Sequence, residues 1–284
     1  NIIFGNYCWK IIRTTETGGV KLIYNGIPND GKCETQTGTN TQIGTSAWNT
    51  VHDDAAYAGY MFGINNTGNS TSKEEAQTNT YESTIKKYLE NWFENNLLNY
   101  ESYFEDTIFC NDRVTVDGKT NNDYNSRTGL TIGSLGYGRN VTGFAALSRA
   151  SYNTLKPSPN LFCSQNGDKF TVNSKNGNGK LTYPVGLITL DEVVLAGFNT
   201  QSGIGLDYKD TNNYLYTNTS YWTLSPVVMP AYDKIRNGIV LSDGSIDSTF
   251  IESMSGVRPV VSLKAGTTIE PEGSGTSTNP YVVK

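Results

Sequence analysis

The chain has 284 residues and a net charge of −5, with charged residues at 17%, against roughly 25% in an average soluble domain. Its Lys and Arg residues are scattered singly and form no basic run, which excludes the usual footprint of a nucleic-acid partner and disfavours an anionic membrane surface. Aromatics at 11% and abundant β-branched residues exclude a disordered chain, and no apolar run approaches the ~18–20 residues of a membrane span.

The chain opens at Asn1 with no signal peptide. A mature fragment is expected, its targeting segment removed and its surface anchor lying outside this chain. Residues 7–15 and 20–25 are β-rich runs around Glu16-Thr17-Gly18-Gly19 and predict a hairpin. A polar stretch, residues 26–45, follows and holds Cys33.

Residues 79–104 carry the best helix signal. Ile85, Tyr88, Leu89, Trp92, Phe93 and Leu97 fall on one stripe at helical spacing, and Ser83 is placed to cap it. The stripe reads as core packing, with Lys86, Lys87, Glu90 and Glu94 largely off it. Residues 111–140 are irregular and polar. Residues 143–152 predict a short helix, ended by Pro157 and Pro159. A Gly/Asn-rich turn at 173–180 separates runs at 169–172 and 181–187.

Thr189-Leu190-Asp191-Glu192 is a capping box opening a short helix that stops near Gly197. Its acids read as complements of the helix dipole rather than as catalysts. Short strands are expected at 214–216, 221–224, 238–241, 245–247, 257–263 and 281–284, with a turn at Ser242-Asp243-Gly244. No linker divides the chain, so the expectation is one domain, 1–284, with a long helical and loop insertion over 65–180.

Four Cys, at 8, 33, 110 and 163, lack CxxC spacing and point to two disulfides rather than zinc. Four Cys allow three pairings, of which the nearest in sequence, Cys8–Cys33 and Cys110–Cys163, is the simplest. Bridges imply an oxidising compartment. Cys8 with Gln42 is also similar to the internal thioester of some Gram-positive adhesins. That reading ranks below the disulfide because it leaves Cys33 unpaired.

Catalytic chemistry is sparse. The single His, His52, stands beside Asp53 and Asp54, where a surface or capping role is expected. No Ser lies in a GxSxG context, and the Gly runs at 133–138 lack the Lys of a phosphate loop. Asp207, Asp210, Asn212 and Asn213 offer oxygen ligands at a density calcium uses, but their spacing fits no EF-hand and a solvated turn is expected. The reading is therefore of no enzyme, no cofactor and no metal.

Three stretches carry a family resemblance. Cys8-Trp9-Lys10-Ile11-Ile12-Arg13 leads through Gly18-Gly19 to Leu22-Ile23-Tyr24-Asn25-Gly26. Tyr221-Trp222-Thr223-Leu224-Ser225-Pro226 is followed by Gly256-Val257-Arg258-Pro259-Val260-Val261-Ser262-Leu263. The chain closes on Asn279-Pro280-Tyr281-Val282-Val283. Together they resemble an uncharacterised domain family common in surface proteins of gut Gram-positive bacteria. The C-terminal half of that family looks like the C-type-lectin-like fold of formylglycine-generating enzyme and of variable proteins.

The resemblance implies an α+β, disulfide-stapled, C-type-lectin-like fold. It lacks the late Cys pair of the formylglycine-generating enzyme, the three His of sulfoxide synthases and the calcium motifs of animal lectins. It also implies a loop-built binding face between Pro226 and Gly256, holding Met229, Tyr232, Asp233, Arg236, Asp247, Phe250 and Glu252. Trp222 and Arg258 read as structural. The expected function is an extracellular, adhesin-type domain that recognises a host or bacterial surface protein or glycan. The alternative is a pilin-like or stalk subunit without a ligand of its own.

Overall fold

In the first hairpin, Tyr7–Thr14 and Val20–Tyr24 pair antiparallel with Trp9 opposite Tyr24 and Ile11 opposite Leu22. Trp9, Leu22 and Ile23 are fully buried. The computed structural model describes residues 1–34, 37–66, 68–116, 133, 135–150, 158–198, 209–230 and 233–284. Around the hairpin it builds a five-stranded sheet in the order Val260–Leu263, Val20–Tyr24, Tyr7–Thr14, Ile2–Phe4, Tyr281–Val282. The last pair is parallel, Ile2 facing Tyr281 and Ile3 facing Val282, so the two ends of the chain close one sheet edge. The strand beside the C-terminal one is thus Ile2–Phe4, with Tyr7–Thr14 one position further in.

A seven-stranded sheet forms the other layer. Its spine runs Ile246–Phe250, Arg236–Val240, Tyr221–Met229, Ser255–Gly256, Thr45–Ser46. Thr142–Phe144 pairs with the far end of Tyr221–Met229, and Thr115–Val116 lies beyond it. All nine residues of Tyr221–Met229 are buried, because strands flank it on both sides. The sequence reading stops this strand at Leu224. The strand instead passes through Pro226, where the register to the next strand shifts. Two further two-stranded pieces join Phe109–Cys110 to Lys169–Phe170 and Met61–Phe62 to Tyr81–Glu82.

The predicted helix is Thr84–Leu97. The Ser83 side chain accepts from the Lys86 N–H, and Ile85, Leu89, Phe93 and Leu97 are fully buried. Lys86 and Glu90 are buried as well: Lys86 Nζ lies 2.8 Å from Glu90 Oε2 and 2.5 Å from Glu82 Oε1. The helix stripe shares one hydrophobic core with both sheets and with Phe109, Phe144 and Phe170, so residues between 65 and 180 pack into the same interior. A short helix Ala145–Ala150 follows Thr142–Phe144, and Leu190–Leu195 opens on the expected capping box. Residues 214–216 form a turn rather than a strand, with the Tyr216 N–H donating to the Asn213 carbonyl at 3.0 Å.

Two disulfides join Cys8 to Cys33 and Cys110 to Cys163, the nearest-neighbour pairing. Gln42 is not linked to Cys8: its Nε2 donates to the Ser220 carbonyl at 2.9 Å. Trp222 and Arg258 are buried in the core. Trp222 Nε1 donates to the Ser46 carbonyl at 2.8 Å. Arg258 donates to the Tyr24 and Leu215 carbonyls and to Asn25 Oδ1, and its guanidinium stacks 4.7 Å from the Tyr221 ring centroid.

Candidate functional site

The resemblance implies a binding face between Pro226 and Gly256, and the hairpin Arg236–Val240/Ile246–Phe250 spans about half of that stretch. Arg236 faces Phe250 across the ladder. Strand side chains alternate faces, so Lys234 and Arg236 leave one side with Phe250 and Glu252, while Ile235 and Ile251 point inward and are fully buried. The chain at His52 and Trp48 pins that inner side. The Ile235 N–H donates to the His52 carbonyl at 2.9 Å, and the Trp48 N–H donates to the Ile251 carbonyl at 2.8 Å.

The outer side is a charged patch around an aromatic ring. The Arg236 guanidinium lies 4.2 Å and Lys234 Nζ 5.7 Å from the Phe250 ring centroid. Lys234 Nζ pairs with Glu252 Oε1 at 2.5 Å, and Arg236 Nη2 with Asp233 Oδ2 at 3.5 Å. Arg236 Nε and Glu252 Oε2 are shielded from solvent yet find no hydrogen-bond partner among the described residues; His52 Nδ1, from the neighbouring segment, is in the same condition. Farther along, the same face is closed off: a side chain at Gly238 would meet Leu190 Cδ1 and Thr223 Oγ1 at 2.7 Å.

The patch thus gathers Asp233, Arg236, Phe250 and Glu252 from the expected set and adds Lys234. Period-2 alternation with Arg236 could have found Lys234. Met229 is a correction: it ends the buried central strand, opposite Thr142, and offers no surface. Asp247 stands across from buried Ile239 on the other face of the pleat, and its Oδ1 accepts from the Ser248 N–H. Tyr232 lies outside the described residues.

Other candidates resolve into structural roles. Asp54 is buried and accepts from the Ala56 and Ser70 N–H groups and from Ser70 Oγ at 2.6–2.8 Å, while Asp53 lies 4.0 Å from Arg139. Asn213 organises its own turn, accepting from the Leu215 N–H at 2.8 Å; Asp207 lies outside the described residues. Among the described residues no group of three or more His, Cys, Asp or Glu side chains could hold a metal ion.

A cleft of about 240 Å³, which sequence reasoning missed, opens elsewhere, between the first sheet and the helix Leu190–Leu195. Arg149 pairs with Asp191 (2.7 Å) and Asp112 (2.8 Å) on one wall. On the other, Glu192 Oε1 accepts from Arg13 Nε (3.0 Å) and Lys21 Nζ (2.7 Å). Burial pushes the Lys21 ammonium down despite its carboxylate partner. Burial pushes the Glu192 carboxyl up, but the charges of Lys21 and Arg13 and the Thr189 N–H outweigh it and hold it below the ordinary range. The Cys110–Cys163 bridge and the exposed Leu161 and Phe162 complete the lining. No family model matches the chain, and no curated protein or solved structure matches it either.

Proposed function

We propose that the chain is an extracellular binding module, not an enzyme, that recognises a protein or glycan of a host or bacterial surface through the outer face of its C-terminal hairpin. One observation carries the reading. Around Phe250, Arg236 Nε and Glu252 Oε2 are desolvated without partners among the described residues. Buried polar groups are ordinarily hydrogen-bonded, so this donor and acceptor retain capacity for an incoming group. An aromatic and a guanidinium side by side supply contact area and directional bonds.

The surrounding architecture supports a surface location. Two disulfides fit an oxidising compartment, and no described helix is long and apolar enough to cross a membrane. The α+β architecture, with both chain ends in one sheet edge, supports a lectin-like closure of the fold. The test is a glycan and host-protein array probed with the intact chain and with R236A/F250A. The reading expects at least one ligand bound by the former and lost by the latter. An array on which both behave alike contradicts it.

A further inference from the structure

The cleft beside Glu192 shares none of its lining residues with the hairpin patch. We propose that it binds a neutral polyhydroxylated ligand, a single sugar residue, with the ring against Phe162 and hydroxyls directed to the charged floor.

The charge pattern selects a neutral ligand. Four cationic and four carboxylate side chains line the cleft, and the deepest are already matched: Arg149 to Asp112 and Asp191, Arg13 and Lys21 to Glu192. At these matched groups an anion must displace a carboxylate from its cation, and a cation must do the converse. Either leaves a buried charge uncompensated, which is strongly unfavourable. A hydroxyl donates and accepts at once and adds to the pairs without breaking them.

The floor retains that capacity. Lys21 is 1% exposed, and its ammonium carries three donors, yet among the described residues it makes one hydrogen bond, to Glu192, while lying 4.8 Å from the Phe109 ring centroid. Lys169 forms no ion pair among the described residues. Among the described residues each Asp112 oxygen takes one polar contact, Oδ1 from the Val114 N–H at 3.2 Å and Oδ2 from Arg149 at 2.8 Å, against about two lone pairs per carboxylate oxygen.

The mouth supplies the apolar wall. Phe162 is 69% and Leu161 46% exposed, an unusual placement for two adjacent large apolar residues, and the neighbouring Cys110–Cys163 bridge fixes their segment. Small-molecule sites combine such walls with a few directed polar groups. A cleft of about 240 Å³ falls below the roughly 300–1,000 Å³ of drug-sized sites, which limits the ligand to one ring.

The experiment is saturation-transfer NMR on the intact chain. The neutral probes are D-glucose, D-galactose, D-mannose and N-acetyl-D-glucosamine; the charged counterparts are glucuronate and glucosamine. At least one neutral sugar should show transfer and bind at least tenfold more tightly than its charged counterpart. Phe162→Ala, which leaves every ion pair in place, should keep its melting temperature and weaken that sugar at least tenfold. Lys169→Ala serves as the second variant should the first melt early, with the same expected loss. Absence of transfer from every neutral probe, equal binding of charged counterparts, or wild-type binding by the folded variant overturns the proposal.

Discussion

Lys21 Nζ and Glu192 Oε1 lie 2.7 Å apart in the interior, although 171 residues separate them in the chain. The pair ties the second strand of the N-terminal hairpin to the first turn of the helix Leu190–Leu195, and Arg13 joins it from the neighbouring strand. A buried charge is tolerated only when it is matched.

Glu192→Gln should therefore destabilise the chain by about 3–5 kcal/mol at pH 7, the range for removing one member of a buried pair. The Glu192 carboxyl is held below its ordinary value of 4.5. Its stabilisation is full above that value and is lost as pH falls through the lower folded-state value. Denaturant titrations should show the gap between wild type and variant narrowing on acidification below pH 4.5. A gap independent of pH contradicts the pairing.

Lys10 lies on the same hairpin, donates to the Tyr214 carbonyl, and is pulled down to about 8 by burial and by the Arg258 charge. Between that value and the ordinary 10.5 the unfolded chain holds a proton the folded chain has released, so stability rises with pH across this window. Lys10→Met should flatten the rise. Limiting acetic anhydride at pH 8, read by peptide mass spectrometry, should modify Lys10 ahead of the other described lysines; uniform labelling argues against the shifted value.

The Cys110–Cys163 bridge spans 53 residues. Loop entropy gives about 4 kcal/mol for a closure of that length, so C110S/C163S should unfold at correspondingly lower denaturant. Non-reducing peptide mapping should recover only the two nearest-neighbour pairs, and a crossed pair or a free thiol contradicts the fold.

Removing residues 280–284 strips Tyr281–Val282 from Ile2–Phe4, including the Tyr281 N–H to Asn1 carbonyl bond at 3.1 Å. A loss of about 1 kcal/mol lowers the Tm of a chain this large by about 2–4 °C. An unchanged melting curve would show that the end strand contributes nothing.

What the sequence revealed follows the range of each interaction. The Thr84–Leu97 helix and the Thr189–Glu192 capping box are local patterns, and both were legible. Burial of Lys21 and Lys86 was not, because each depends on partners supplied by the fold. The extension of Tyr221–Met229 through Pro226 was not legible, because proline lacks a ladder donor and only the register shift set by the neighbouring strand accommodates it. Arg236, Phe250 and Glu252, which the resemblance put on one face, lie on the same side of the hairpin, whereas Met229 is buried at the end of its strand. The cleft draws its lining from well-separated chain segments and has no local signature.

Recognition rests on the hairpin patch around Phe250. Its most direct measurement is the affinity of R236A/F250A for a ligand identified on the array, after its melting curve is shown to match wild type. Truncating a guanidinium and an aromatic at the centre of an interface typically removes about 2 kcal/mol or more, so Kd should rise about 30-fold or more. A folded variant that binds with wild-type affinity contradicts the account.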